Sequence, residues 1–201
     1  KPLMKALQED YDALGRKLAR EGLDLAAITD QVCRFTVAVP SWGLGTGGTR
    51  FGRFSMDCEP GYGWEKLVDA STVNELGGQT SPKVSLHIPW DRPEDASELL
   101  GFARKLGLGF DAKNSNTFQD QKEGQKHSYK FGSLVHTDKA VRDQAIAHNK
   151  EVIDLGKKLK SEAITVWLSD GGSYPGQQHF RRSLDRVIGS LQEIYKHLPP
   201  N

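Results

Sequence analysis

Apolar positions along the chain change period. Leu3, Ala6, Leu7, Tyr11, Leu14 and Leu18 recur every three or four residues, which predicts a helix with one apolar stripe, ended at Gly22. Leu23–Val32 reads as a second, shorter helix. Four short apolar runs then break the helical period: Phe35–Val39, Val84–Ile88, Leu108–Ala112 and Ala163–Leu168. The first is near-continuous, as suits a strand covered on both faces of a parallel sheet. Pro89 ends the second, as is common where a strand leaves a sheet. Each run leads through a loop into a helix-like stretch, over 63–76, 93–106, 138–160 and 178–197. In the first of these, Trp64, Leu67, Val68, Val73 and Leu76 are candidate buried positions. Asn114–Thr137 reads as a long polar loop, functional or carrying a small helix.

The order is two helices followed by four strand–helix units, which implies parallel pairing with right-handed crossovers. The expected fold is α/β: the first four β/α units of a (β/α)8 TIM barrel, preceded by two N-terminal helices. One domain is expected over 1–201, with 1–32 as a helical extension and 33–201 as the four units. An open four-stranded sheet is the alternative, and it would be unusually small.

A net charge of +1 gives no case for nucleic acid or an anionic membrane surface as partner. The longest apolar runs are too short to span a bilayer, and the charged first helix lacks the apolar stretch of a signal peptide. A cytoplasmic setting is expected, with Cys33 and Cys58, neither in a CxxC, as free thiols. The chain opens on Lys1 and stops at Leu-Pro-Pro-Asn, so both ends read as cuts within a longer polypeptide.

The candidate chemistry sits at the carboxyl ends of the four runs, where α/β enzymes build their sites. These ends carry Trp42; His87, Trp90 and Asp91; Asp111 and Asn114; Trp167 and Asp170. An imidazole with a carboxylate four residues on can carry a proton to or from a substrate hydroxyl. The alternative for His87 is a buried histidine satisfied by a backbone carbonyl. Trp42, Trp90 and Trp167 offer flat apolar faces that wall a small-molecule pocket and suit the C–H faces of sugars. Core filler is the alternative for each.

Gly43–Gly48 matches GxGxxG. A nucleotide cradle is disfavoured, since Pro-Ser-Trp separates strand from glycines, no helix follows, and no acidic residue closes a second strand. A mobile lid with Phe51 and Phe54 at its tip and a plain surface loop both remain open. His127 and His136 lie too far apart for the usual zinc spacing. His148 and His179 read as helix-surface residues, and His197 as a terminal-turn cation.

Five blocks in order, VAVPSWGLGTGGTRFGRF, VSLHIPWD, LGFDAKNSNTF, HSYKFGSLVHTD and AITVWLSDGGSYPGQ, carry a resemblance across essentially the whole chain. They resemble the amino-terminal half of the L-rhamnose isomerase family, in its broad-specificity bacterial branch, one of the xylose-isomerase-like TIM barrels. The resemblance implies a metal-dependent aldose–ketose isomerase interconverting L-rhamnose and L-rhamnulose, and acting on related aldoses such as D-allose. It implies two divalent metal ions, usually Mn²⁺, and a homo-oligomer, dimer or tetramer. By the same resemblance, Trp42, Phe118 and Trp167 wall the sugar pocket, and Trp90, from its place at a strand end, is expected to bind the sugar with them. His87 hydrogen-bonds it and assists ring opening, and Phe51 is a lid reaching a neighbouring subunit's site. The family's Glu-Asp-His-Asp metal ligands match nothing in 1–201 and are expected beyond Asn201. The chain alone is therefore expected not to bind both metals or turn over sugar. A non-catalytic half-barrel, serving sugar binding or assembly, is the alternative.

Overall fold

Strand tips decide where the site lies, so the strands matter most. The computed structural model describes residues 2–44, 65–120, 124–168, 171–172, 174 and 176–200. The chain divides into two compact units, Lys1–Val37 and Ala38–Asn201.

The first unit is a helical hairpin of α1 (Pro2–Arg20) and α2 (Leu25–Cys33). Gly22 turns the chain between them at φ +73°, a left-handed conformation that costs glycine little. Asp24 caps α2 by accepting from the Ala26 N–H at 2.9 Å. Tyr11 Oη and Thr29 Oγ1 meet at 3.0 Å. The stripe foreseen on α1 is present but not buried: Leu3, Leu7, Tyr11 and Leu14 are all exposed. Two helices, the second of nine residues, present too little surface to enclose it.

The second unit contains strands β1 (Ala38–Pro40), β2 (Lys83–Ser85), β3 (His87–Ile88), β4 (Gly109–Phe110), β5 (Lys113–Ser115) and β6 (Ile164–Val166). Its helices are α3 (Glu65–Leu76), α4 (Ala96–Lys105), α5 (Lys139–Lys158) and α6 (Phe180–Tyr195). All pairing is parallel, in the orders β1-β2-β4 and β3-β5-β6. Hydrogen bonds from Asp111 N to Val84 O and from Asn114 N to Leu86 O carry the pairing across the breaks at Leu86 and at 111–112. Four parallel tracks thus lie side by side in chain order, each followed by a helix, as the sequence pattern predicts. Asp95 and Asp138 cap α4 and α5.

Period-two alternation sorts the faces. Val84, Leu86 and Ile88 point to one side, where they join Leu67, Ala70, Leu99, Ala103, Phe110, Val152 and Leu159 in the main core. His87 therefore points to the other side. A second cluster of Tyr129, Leu134, Val141, Ala145, Ile153 and Ile194 packs the 124–138 segment onto α5 and α6.

Three expectations change. The first strand is Ala38–Pro40, three residues later at its start than foreseen, and Phe35 and Val37 are 73% and 52% exposed. Among the described residues it pairs with β2 alone, and its Ala38 and Val39 are only partly buried. The third track runs on through Lys113-Asn114-Ser115, a polar stretch read as loop but fully buried. In α3 the inward face is Leu67, Ala70 and Asn74, leaving Val68, Val73 and Leu76 exposed, while Trp64 lies outside the described residues.

Candidate functional site

Because the four tracks are parallel, their carboxyl ends share one rim. Trp42 follows β1 in a single 3-10 turn (Ser41–Gly43), His87 lies in β3 with Trp90 just after it, Phe118 follows β5, and Trp167 follows β6. Their rings meet. His87 lies edge-on to Trp42, with centroids 5.5 Å apart, and to Trp90, at 4.7 Å. Phe118 is 5.6 Å from His87 and 5.7 Å from Trp167. The five residues singled out in the sequence form one continuous aromatic wall. Phe51, and all of the glycine motif after Leu44, lie outside the described residues.

His87 is 4% exposed, and neither ring nitrogen has a hydrogen-bond partner among the described residues. Burial pushes its pKa down to about 4, against the nearby Asp91 charge, which raises it. The ring is neutral at ordinary pH, with one nitrogen to donate and one to accept. Among the described residues, no backbone carbonyl satisfies the ring as the core-histidine alternative requires.

The expected pairing of His87 with Asp91 also fails in detail. Asp91 accepts from the His87 backbone N–H at 2.7 Å rather than from the ring. It also accepts from Ser41 Oγ, and from Lys66 Nζ at 2.6 Å. Four residues of separation across a turn bring the carboxylate back to the peptide, not out to the imidazole.

Asn114 stands opposite His87 in the β3–β5 register and so shares its face. Its Oδ1 accepts from the Trp167 indole N–H at 3.0 Å, and its Nδ2 donates to Leu86 O at 3.3 Å. Thr117 Oγ1 donates to Trp167 O. These two groups fix Trp167, which is 42% exposed. Sequence reasoning named Asn114 as a strand-end residue but missed this role; an amide among hydrophobic strand residues was the available signal.

His148 is buried, not a surface residue. Its Nε2 accepts from Asn116 N at 3.2 Å, and burial lowers its pKa to about 4. Lys113 is fully buried on the helix side of β5, over the Phe110 ring, with Nζ donating to Asp111 O at 2.8 Å. Burial lowers its pKa to about 7. His179, exposed as foreseen, caps α6 by accepting from Arg182 N.

Among the described residues, no three His, Cys, Asp or Glu side chains are grouped to hold a metal ion. Asp91 is committed to three donors, and His87 is ringed by aromatic faces. The described residues therefore do not fit the metals the resemblance implies, and no chemical step is assigned through them. No helix among the described residues is long and apolar enough to cross a membrane.

No protein-family model matches the chain. It is 52% identical over 194 residues to a probable sugar isomerase of Rhizobium meliloti (strain 1021), a match covering 96% of this chain and 45% of that protein. It is 49% identical over 193 residues to a probable sugar isomerase of Mesorhizobium japonicum (strain LMG 29417 / CECT 9101 / MAFF 303099), covering 96% of this chain and 44% of that one. The chain thus spans about half the length of these relatives. Among solved structures it resembles a D-allulose 3-epimerase from Methylomonas sp. in complex with D-allulose, with a TM-score of 0.54 at 11% identity, over 82% of this chain and 47% of that chain. The aromatic rim therefore belongs to a relative of probable sugar isomerases, built on the α/β fold seen in a TIM-barrel sugar epimerase.

Proposed function

We propose that this rim is the sugar-binding wall of a metal-dependent aldose–ketose isomerase acting on L-rhamnose and L-rhamnulose, and on related aldoses such as D-allose. The observation that carries the reading is His87, buried in an aromatic cage with both ring nitrogens unpaired. Trp42, Trp90, Phe118 and Trp167 offer apolar faces to sugar C–H groups, while a neutral imidazole offers one donor and one acceptor to adjacent oxygens. In ring opening, the anomeric O–H gives its proton to one ring nitrogen as the other N–H gives one to the ring oxygen. The C1–O bond to the ring oxygen breaks and C1=O forms, leaving histidine neutral. Hydrogen then moves between C1 and C2 to give the ketose.

The two divalent ions, Mn²⁺ by resemblance, would be held by residues outside those described. A cytoplasmic homo-oligomer, dimer or tetramer, with Phe51 as the lid toward a neighbouring subunit, completes the reading. The lack of grouped metal-binding side chains among the described residues favours a second reading for the 201 residues taken alone: a wall that binds sugar without turnover.

The test incubates the complete natural protein, and separately residues 1–201, with L-rhamnose, L-mannose and D-allose plus Mn²⁺, and follows ketose formation. Ketose from the complete protein alone, abolished by chelator, is the expected result. No ketose from any of the aldoses would overturn the proposal.

A further inference from the structure

We infer that Asp91 is a positioning residue for the aromatic cage, one buried carboxylate that holds three of its walls by their backbone. The kinetic part of its test rests on the sugar-site reading above; the spectroscopic part does not.

One oxygen, Oδ2, accepts from Ser41 Oγ and from the His87 N–H at 2.7 Å. The other, Oδ1, accepts from Lys66 Nζ at 2.6 Å. The Asp91 and Lys66 side chains are only 5% and 13% exposed, and Ser41 is fully buried. The three donors come from three elements: the turn after β1, β3 itself, and the first turn of α3. Each cage residue near Asp91 is tied through this group. Ser41 directly precedes Trp42, His87 donates its own peptide N–H, and Trp90 directly precedes Asp91. Asp91 thus fixes the backbone of Trp42, His87 and Trp90 relative to one another while leaving the imidazole nitrogens free.

A buried carboxylate is costly unless its lone pairs are met and its charge is paired, and replacing such a pair by apolar groups is often neutral for stability. Lys66 and Asp91 are therefore weak candidates for a purely stabilising pair. Their geometry fits the alternative use, fixing one arrangement of the surrounding groups.

The sequence of variants follows from the two oxygens. In Asp91→Asn the amide oxygen can keep Ser41 and His87, but the amide N–H₂ then faces the Lys66 ammonium, donor against donor. Lys66→Met leaves a buried carboxylate with no cation. In the double variant the amide faces a neutral chain, so the donor–donor clash that displaces residue 91 is gone while its amide oxygen keeps Ser41 and His87.

In the complete protein, Asp91→Asn is expected to raise the KM for aldose about tenfold, since small misplacement of binding groups is expensive. It should also weaken the near-UV circular dichroism of the tryptophans in the sugar-free protein, at unchanged far-UV signal. The double variant should recover both. Wild-type KM and near-UV signal in Asp91→Asn would overturn the inference, and so would a double variant no better than Asp91→Asn. Should Asp91→Asn fail to fold, Ser41→Ala decides: a raised KM at an unchanged thermal midpoint supports the clamp, and an unchanged KM overturns it. If wild type turns over no aldose yet the near-UV signal is lost in Asp91→Asn and recovered in the double variant, the clamp stands and the sugar reading falls.

Discussion

Buried imidazoles usually give one nitrogen to a backbone carbonyl and the other to a side chain or water; His87 gives neither to the described protein groups. A ligand that supplied the partners would offset the cost of that arrangement, which is why the residue anchors the proposed site. Two outcomes follow at this scale. On the proposed function, His87→Ala in the complete protein should lower kcat/KM for aldose about a hundredfold, in the range for a group proposed to transfer a proton. Trp167→Ala, at the most exposed wall, should raise KM severalfold with kcat nearly kept, because it removes a contact face and leaves the imidazole in place. Steady-state kinetics with far-UV spectra read both, and unchanged kinetics in both variants would sink the site assignment. His87, Trp42, Trp90 and Trp167 are legible from position, since each stands at or near the end of an apolar run, whereas Phe118 is expected only from the family resemblance. The partner of Asp91 was not, because spacing along a chain does not say whether a carboxylate returns to a peptide N–H or to a ring.

Elements behave similarly. Helices α4, α5 and α6 and the tracks that precede them are readable because their apolar residues keep a period. The strand Lys113–Ser115 breaks that code. Its polar atoms are tolerated in the interior because each finds a partner: Lys113 Nζ donates to the nearby Asp111 O, Asn114 meets Trp167 53 residues away, and Ser115 Oγ donates to Thr165 O 50 residues away. The segment before α5 is likewise held by helix side chains. Gln144 Oε1 accepts from Lys126 N and His127 N, and its Nε2 donates to His127 O. Arg186 Nε donates to Val135 O at 2.6 Å, and Ser190 Oγ to Leu134 O at 2.8 Å. Gln144→Ala should therefore speed amide hydrogen exchange at Lys126 and His127 and cost about 1 kcal/mol of stability, with exchange in β2 and β5 unchanged. Unchanged exchange at those two amides would show that Gln144 does not hold the segment.

At the scale of the whole molecule, three buried bases share one direction. His87 and His148 titrate near 4 in the fold against 6.5 when solvated, and Lys113 near 7 against 10.5. In each case burial disfavours the proton, so the unfolded chain binds more protons than the folded one between the two values. Stability then rises with pH through that window. For the histidines, stability present above pH 6.5 is lost as pH falls to about 4, at roughly 3 kcal/mol each. Lys113 contributes with the same sign between pH 10.5 and about 7. Urea midpoints should fall as pH is lowered from 6.5 to 4, and His87→Phe with His148→Phe should flatten that slope. A flat profile in the unaltered chain would contradict the burial of these groups.

Taken alone, the sequence determines the alternation of strand and helix, the parallel sense it forces, and the placing of Trp42, His87, Trp90 and Trp167 at strand ends. These follow from local periods and from the chirality of crossover connections, which act on neighbours in the chain. Tertiary structure decides what depends on contacts between distant residues. It buries Lys113 and His148, joins Asn114 to Trp167, and turns Asp91 onto Ser41, Lys66 and the His87 peptide rather than onto the imidazole. A polar group's partner is set by which donor the fold brings within about 3 Å, and no period along the chain encodes that.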